Sequence, residues 1–192
     1  MITYLVEGII NWLIKHEAIE ANDMELYEYA VYNLLLTIYP VVFAAIIGSL
    51  MGALKESIAI IFPFILIRKF SGGFHAKSTK VCMFISCLLL SLCIKLSEYL
   101  NCGIELAGVT ILAILCLALF SPIDSENRRL DLKEKTSNKY VTVAILIFLS
   151  VICVMLYSIQ QEIYVVCISI SIILASGMQL PCIFRKIKCK TL

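Results

Sequence analysis

Residues 31–54 form a stretch of the chain without a single charged side chain. A helix needs roughly 20 apolar residues to cross the hydrocarbon of a bilayer, so this run alone is long enough to span. Further apolar runs follow at 57–67, 82–100, 104–120, 140–158 and 163–180, and polar residues gather between them. Hydrophobic residues make up 61% of the chain and charged ones 16%, outside the range of ordinary soluble domains. In lipid every backbone N–H and C=O must be paired internally, which leaves helices as the economical solution for such runs. The expected fold is therefore all-α: one polytopic integral membrane domain, 1–192, with about six hydrophobic segments. The segment 57–67 is short and broken by Pro63, so a re-entrant course is the alternative there.

Residues 2–14 predict an amphipathic helix. Ile2, Val6, Ile9 and Leu13 share one face, and Thr3, Glu7 and Asn11 line another. Trp12 suits the headgroup level, and the run lacks the basic start of a signal peptide. An interfacial helix and a helix packed on the protein's own membrane domain both fit. Residues 17–28 hold five acids and no Lys or Arg, the pattern of a solvated connector. Lys95 and Glu98, three apart near the end of the run 82–100, can face each other. Gly48-Ser49-Leu50-Met51-Gly52 has small residues at the spacing that lets helices approach, a hint of a dimer face.

Cation placement predicts orientation. With six crossings and both termini inside, fourteen of the sixteen Lys and Arg fall on the cytoplasmic side, leaving Lys55 and Lys95. The loops 68–81 and 121–139 and the C-terminal tail are then cytoplasmic. The nine cysteines mostly fall inside apolar runs, where Cys acts as a small hydrophobe. No CxxC and no Cys/His cluster has metal-ligand spacing, and no phosphate-binding glycine loop occurs. No cofactor, metal or nucleic-acid partner is expected; the bilayer is.

Polar chemistry concentrates in Arg68-Lys69-Phe70-Ser71-Gly72-Gly73-Phe74-His75-Ala76-Lys77-Ser78-Thr79-Lys80-Val81-Cys82. Gly72-Gly73 allows a backbone turn that other residues resist. Cys82 would open a helix, whose unpaired N–H groups favour a thiolate, and Lys77 and Lys80 add positive potential. His75 could serve as base and then as acid. On a continuous helix the seven-residue offset is roughly 10 Å, so the pair works only if the loop folds back. The plain alternative is a solvated loop histidine beside one of several membrane cysteines.

Arg68…Gly72-Gly73-x-His75-Ala76…Cys82 before a membrane run resembles the accessory gene regulator protein B (AgrB) family, membrane cysteine endopeptidases of quorum sensing. A second similar patch is Ser121-Pro122-Ile123-Asp124-Ser125-Glu126-Asn127, and the order of apolar segments also agrees. The resemblance implies His75 and Cys82 as the catalytic pair and an AgrD-like propeptide as substrate. That propeptide has an amphipathic leader, a central Cys or Ser and an acidic C-terminal part. Cleavage would pass through an acyl-enzyme and promote cyclisation to a thiolactone or lactone, in a bacterial cell membrane. A homodimer is implied by the family alone. Arg68, Gly72, Gly73, Asp124, Arg128 and Arg129 are supporting candidates, with Asp124 either orienting His75 or capping a helix. Arg128 and Arg129 would grip the substrate's carboxylates or simply fix orientation. The competing class is a small-solute transporter or its membrane subunit, which usually carries ionisable groups at mid-membrane.

Overall fold

The computed structural model describes residues 2–16, 18–19, 23–72, 79–123 and 131–182. They form seven α-helices: α1 (Ile2–Lys15), α2 (Met24–Leu50), α3 (Leu54–Ser71), α4 (Thr79–Tyr99), α5 (Ile104–Phe120), α6 (Leu132–Ser158) and α7 (Glu162–Gly177). Among the described residues there is no strand, only one isolated bridge between Gly72 and Ile123. Among the described residues three stretches are long and apolar enough to cross a membrane: Met24–Leu50, Lys133–Ser158 and Glu162–Cys182; Ile104–Phe120 is a shorter apolar helix. The fold is all-helical as expected, while six crossings are not established by helix length and composition.

The chain divides into two compact units, Met1–Phe43 and Ala44–Leu192. In the first, α1 is the expected amphipathic helix, but its buried line is Val6 and Ile10, while Ile9 is exposed. The helix is apolar on two adjacent stripes, so periodicity alone could not choose between them. Leu5, Ile9 and Trp12 form the outward stripe. Trp12 stacks on His16 with ring centroids 4.5 Å apart, and His16 donates from Nδ1 to the Trp12 carbonyl at 2.9 Å.

In the second unit α7 is the axis. Residues 165–172 are buried without interruption, and α7 packs against α3, α4, α5 and α6. One side sends Val166, Cys167 and Ile170 into a cluster with Ala44, Ile60 and Ile94. The other sends Ile168, Ile172 and Ala175 against Ile67, Leu117 and Leu146. Lipid is as apolar as these side chains, so association rests on close packing and interhelical hydrogen bonds rather than on burial from water. Ser171 supplies such a bond, donating from Oγ to the Ile60 carbonyl of α3 at 2.7 Å. Ser57 of α3 likewise donates to the Ala44 carbonyl at 2.6 Å.

Turn chemistry moves two expected boundaries. The run 31–54 ends as a helix at Leu50, because Gly52 takes φ 71° and the Ala53 amide closes back on the Gly48 carbonyl at 2.8 Å. Gly48 faces Ser57 so closely that a Cβ there would lie 2.6 Å from the Ser57 Cβ. The small-residue pattern is thus engaged in a turn and an approach within the chain. At the other boundary, the hydrophilic loop expected over 121–139 is helical from Leu132 onward. The Asp131 amide donates to Glu134 Oε2 at 3.1 Å, half of a capping box, and Asp131-x-x-Glu134 was its signal in the sequence. Lys95 and Glu98 do pair, at 3.0 Å and exposed, so the bond is a surface one of small energetic weight.

Candidate active site

The apolar helix α3 ends in Arg68-Lys69-Phe70-Ser71, placing two cations at the negative end of its dipole. The Arg68 guanidinium lies 6.0 Å from the centre of the Phe64 ring, and its Nη1 donates to the Gly72 carbonyl at a long 3.5 Å. Gly72 stops the helix with φ 69° and ψ −161°, a region open essentially to glycine alone. The Ile123 amide then donates to the Ser71 carbonyl at 3.0 Å, and residues 72 and 123 pair side by side. A Cβ at position 72 would run into the Ile123 carbonyl oxygen. The two sequence patches, 68–82 and 121–127, therefore meet through their backbones at Gly72 and Ile123.

Gln179, in the turn after α7, locks this junction. It is 1% exposed, and its Nε2 donates to the Ser71 carbonyl at 3.0 Å and to Ser121 Oγ at 2.9 Å. A carbonyl can only accept, so the amide must present its NH2 group to Ser71. Three chain segments are held by one side chain: the end of α3, the exit from α5 and the turn after α7. Sequence reasoning assigned nothing to Gln179. Its signal was a lone amide closing the last apolar run, where an unpaired polar group would be costly.

Of the predicted site residues, Arg68 and Gly72 stand at this junction. Cys82 lies in the first turn of α4, at the helix N-terminus where a thiolate is favoured. Its side chain lies outside the described residues, and so do Gly73, His75, Asp124, Arg128 and Arg129. Elsewhere, Cys102 sits in the turn between α4 and α5, where burial and then the Glu162 carboxylate push its thiol up, away from nucleophilic chemistry. Every buried polar side chain among the described residues is Ser, Thr or Gln. No group of His, Cys, Asp or Glu among them is arranged to hold a metal ion.

Comparison with known proteins decides the family. The family model described as "Accessory gene regulator B" matches residues 6–182. The chain belongs to the AgrB family. "Putative AgrB-like protein 2" of Clostridium perfringens (strain 13 / Type A) is 27% identical over 172 residues, covering 80% of this chain and 79% of that one. "Putative AgrB-like protein" of Clostridium perfringens (strain SM101 / Type A) is 27% identical over 148 residues, covering 69% and 68%. No solved structure matches. The AgrB match includes both patches, Cys82 and Gln179. Membership supports an accessory gene regulator role in quorum-sensing peptide processing, and the apolar helices agree with a membrane protein.

Proposed function

We propose that this chain is a membrane-embedded cysteine endopeptidase that cleaves an AgrD-like propeptide and promotes its cyclisation. The observation that carries the reading is the AgrB-family match across a motif that joins a well-anchored helix end to a helix-opening cysteine. The Cys82 thiolate attacks the carbonyl that links signal to C-terminal part. The C–N bond breaks, and His75 passes a proton to the departing amine, leaving an acyl thioester on Cys82. A thiol or hydroxyl of the substrate then attacks that thioester, its proton goes to His75, and Cys82 leaves as thiolate. Free backbone N–H groups at the start of α4 are candidate oxyanion donors.

Orientation belongs to the same proposal. The cation bias supports cytoplasmic termini and cytoplasmic 68–81 and 121–139 segments. That arrangement puts Arg128 and Arg129 on the side of Cys82, where they would hold carboxylates of the substrate. The test is cleavage of a propeptide by the full chain in membranes. His75→Ala and Cys82→Ala should each reduce cleavage by at least about 10³-fold, in the range seen when acid–base or nucleophilic groups are removed. Cys87→Ala and Cys93→Ala should keep most activity. Near wild-type cleavage by Cys82→Ala would end the cysteine-peptidase reading.

A further inference from the structure

Ser71 is the last residue of α3, so its carbonyl is one that a helix end ordinarily leaves to water. Here it accepts two hydrogen bonds from remote parts of the chain, the Ile123 amide and Gln179 Nε2, each at 3.0 Å. The Gly72 amide donates to the Arg68 carbonyl at 3.2 Å, and the Gly72 carbonyl accepts from Ser71 Oγ at 3.3 Å. The peptide groups on both sides of the Gly72 Cα are therefore held.

Among the described residues Gln179 is the one buried amide side chain. An apolar residue of similar size would fill its place without the desolvation that a buried amide suffers. What the amide adds is direction. Its two N–H groups point to acceptors 108 and 58 positions away in the chain, the Ser71 carbonyl and Ser121 Oγ. They fix the angle at which the chain leaves α3.

That angle matters for what the chain carries next. His75 is three residues beyond Gly72, and three peptide units reach at most about 11 Å. Cys82 belongs to the first turn of α4, and α4 packs on both α3 and α7. The helix bearing Cys82 and the point from which the chain sets out toward His75 thus share one frame. A base must come within about 3 Å of its proton donor, so an exit free to turn would spoil the pairing. We infer, resting on the His75–Cys82 pair proposed above, that Gln179 is a positioning residue of the peptidase. It holds the exit of α3 so that His75 meets Cys82, acting through the backbone and not on the substrate.

Two variants of the full chain in membranes separate positioning from stability, once circular dichroism shows both to be folded. Gln179→Leu and Ser171→Ala each remove a hydrogen bond from α7 to α3. The Ser171 bond, however, meets the Ile60 carbonyl, eleven residues short of the exit. One readout is the rate at which iodoacetamide alkylates Cys82 at pH 7, followed by peptide mapping. The other is kcat and KM on a synthetic propeptide that the wild-type chain cleaves. In Gln179→Leu the alkylation should slow about tenfold, approaching the rate in His75→Ala, as a thiol without its imidazole returns to an ordinary pKa. Its kcat should fall on the order of 30-fold, with KM within about threefold, since misplacement by 1 Å can cost ~10² in rate. Ser171→Ala should leave both readouts unchanged. Should Gln179→Leu fail to fold, Ser121→Ala removes one of the two acceptors, with about a fivefold loss in kcat and in alkylation expected. Wild-type alkylation and kcat in the folded Gln179 or Ser121 variant, or equal losses in Ser171→Ala, would overturn the inference and leave the peptidase reading standing. A rise in KM alone would overturn it too, by making Gln179 a substrate contact. Cleavage by Cys82→Ala, or unchanged Cys82 alkylation in His75→Ala, would instead remove the peptidase reading and this inference with it.

Discussion

Helices α6 and α7 come from apolar runs that look interchangeable in sequence, with mean hydropathies of 2.6 and 2.1 in their spanning stretches. In the fold they are opposites. Buried residues make up 61% of the stretch within Glu162–Cys182 and 17% of that within Lys133–Ser158. Many large side chains of α6, among them Phe148, Val154 and Met155, face outward, while Leu146 and Leu149 turn into the core. Between its bulky residues α7 carries Ser169, Ser171, Ala175, Ser176 and Gly177, small enough to let four other helices approach. Hydropathy marks what can enter a membrane; small side chains mark which helix the others gather around.

If α7 is the axis, disturbing what its end holds should cost far more than disturbing α6. The largest effect is expected at Gly72, the partner of Ile123 beside Gln179. Gly72→Ala meets a backbone region that is costly for any Cβ and a direct collision with the Ile123 carbonyl. Unfolding in detergent should show a loss of about 3 kcal/mol or more. A loss below about 1 kcal/mol would mean the 72–123 pairing is not part of the stable fold.

Gln179→Leu comes next, with two buried hydrogen bonds removed and a loss of about 2 kcal/mol. Gln179→Glu should not rescue it, since a carboxylate turned to the Ser71 carbonyl sets acceptor against acceptor. The exposed Tyr140→Ala on α6 should stay within about 0.5 kcal/mol. Equal losses for Gln179→Leu and Tyr140→Ala would erase the distinction between the two helices.

A matched pair sharpens the comparison further. Ser150 on α6 donates to the carbonyl four residues back at 2.8 Å, while Ser171 on α7 shares its one hydroxyl proton between the Cys167 carbonyl at 2.8 Å and the Ile60 carbonyl of another helix at 2.7 Å. Ser171→Ala should therefore cost about 1 kcal/mol, and Ser150→Ala close to nothing, in the same unfolding measurement. Equal costs would assign the Ser171 contribution to its local bond.

These contrasts also explain what the sequence made legible. Every apolar run became a helix, and Ile104–Phe120 kept its expected ends, because lipid-length hydrophobicity leaves the backbone little choice. The Arg68–Cys82 motif and the Ser121 patch were visible as polar chemistry beside apolar runs. Their pairing through Gly72 and Ile123 was not, since a single backbone contact 51 positions apart leaves no periodic trace. Gln179 was missed for the same reason: its role depends on two partners brought by other helices. Which stripe of α1 is buried was not legible, because two neighbouring stripes are both apolar. The early start of α6 was readable from Asp131 and Glu134, but the surrounding charges masked it.

A small effect of opposite sign is expected in the hinge between the two helices compared. Residues 159–161 close α6 with the Gln161 amide on the Leu156 carbonyl at 2.9 Å and the Gln160 amide on the Tyr157 carbonyl at 3.0 Å. This double closure ordinarily seats a glycine in the left-handed region, as Gly52 does after α2. Here the residue is Gln160, at φ 62°, where a side chain costs roughly 1–2 kcal/mol. Gln160→Gly removes that cost but gives back about 0.5–1 kcal/mol through the freer unfolded chain. The net expectation is a gain of about 0.5 kcal/mol, read as a small rise in unfolding temperature, with propeptide processing unchanged. A loss of stability would show that the Gln160 side chain makes a contribution larger than its backbone strain. In that case the turn would be a specific joint for α7 rather than a passive link from the exposed helix to the buried one.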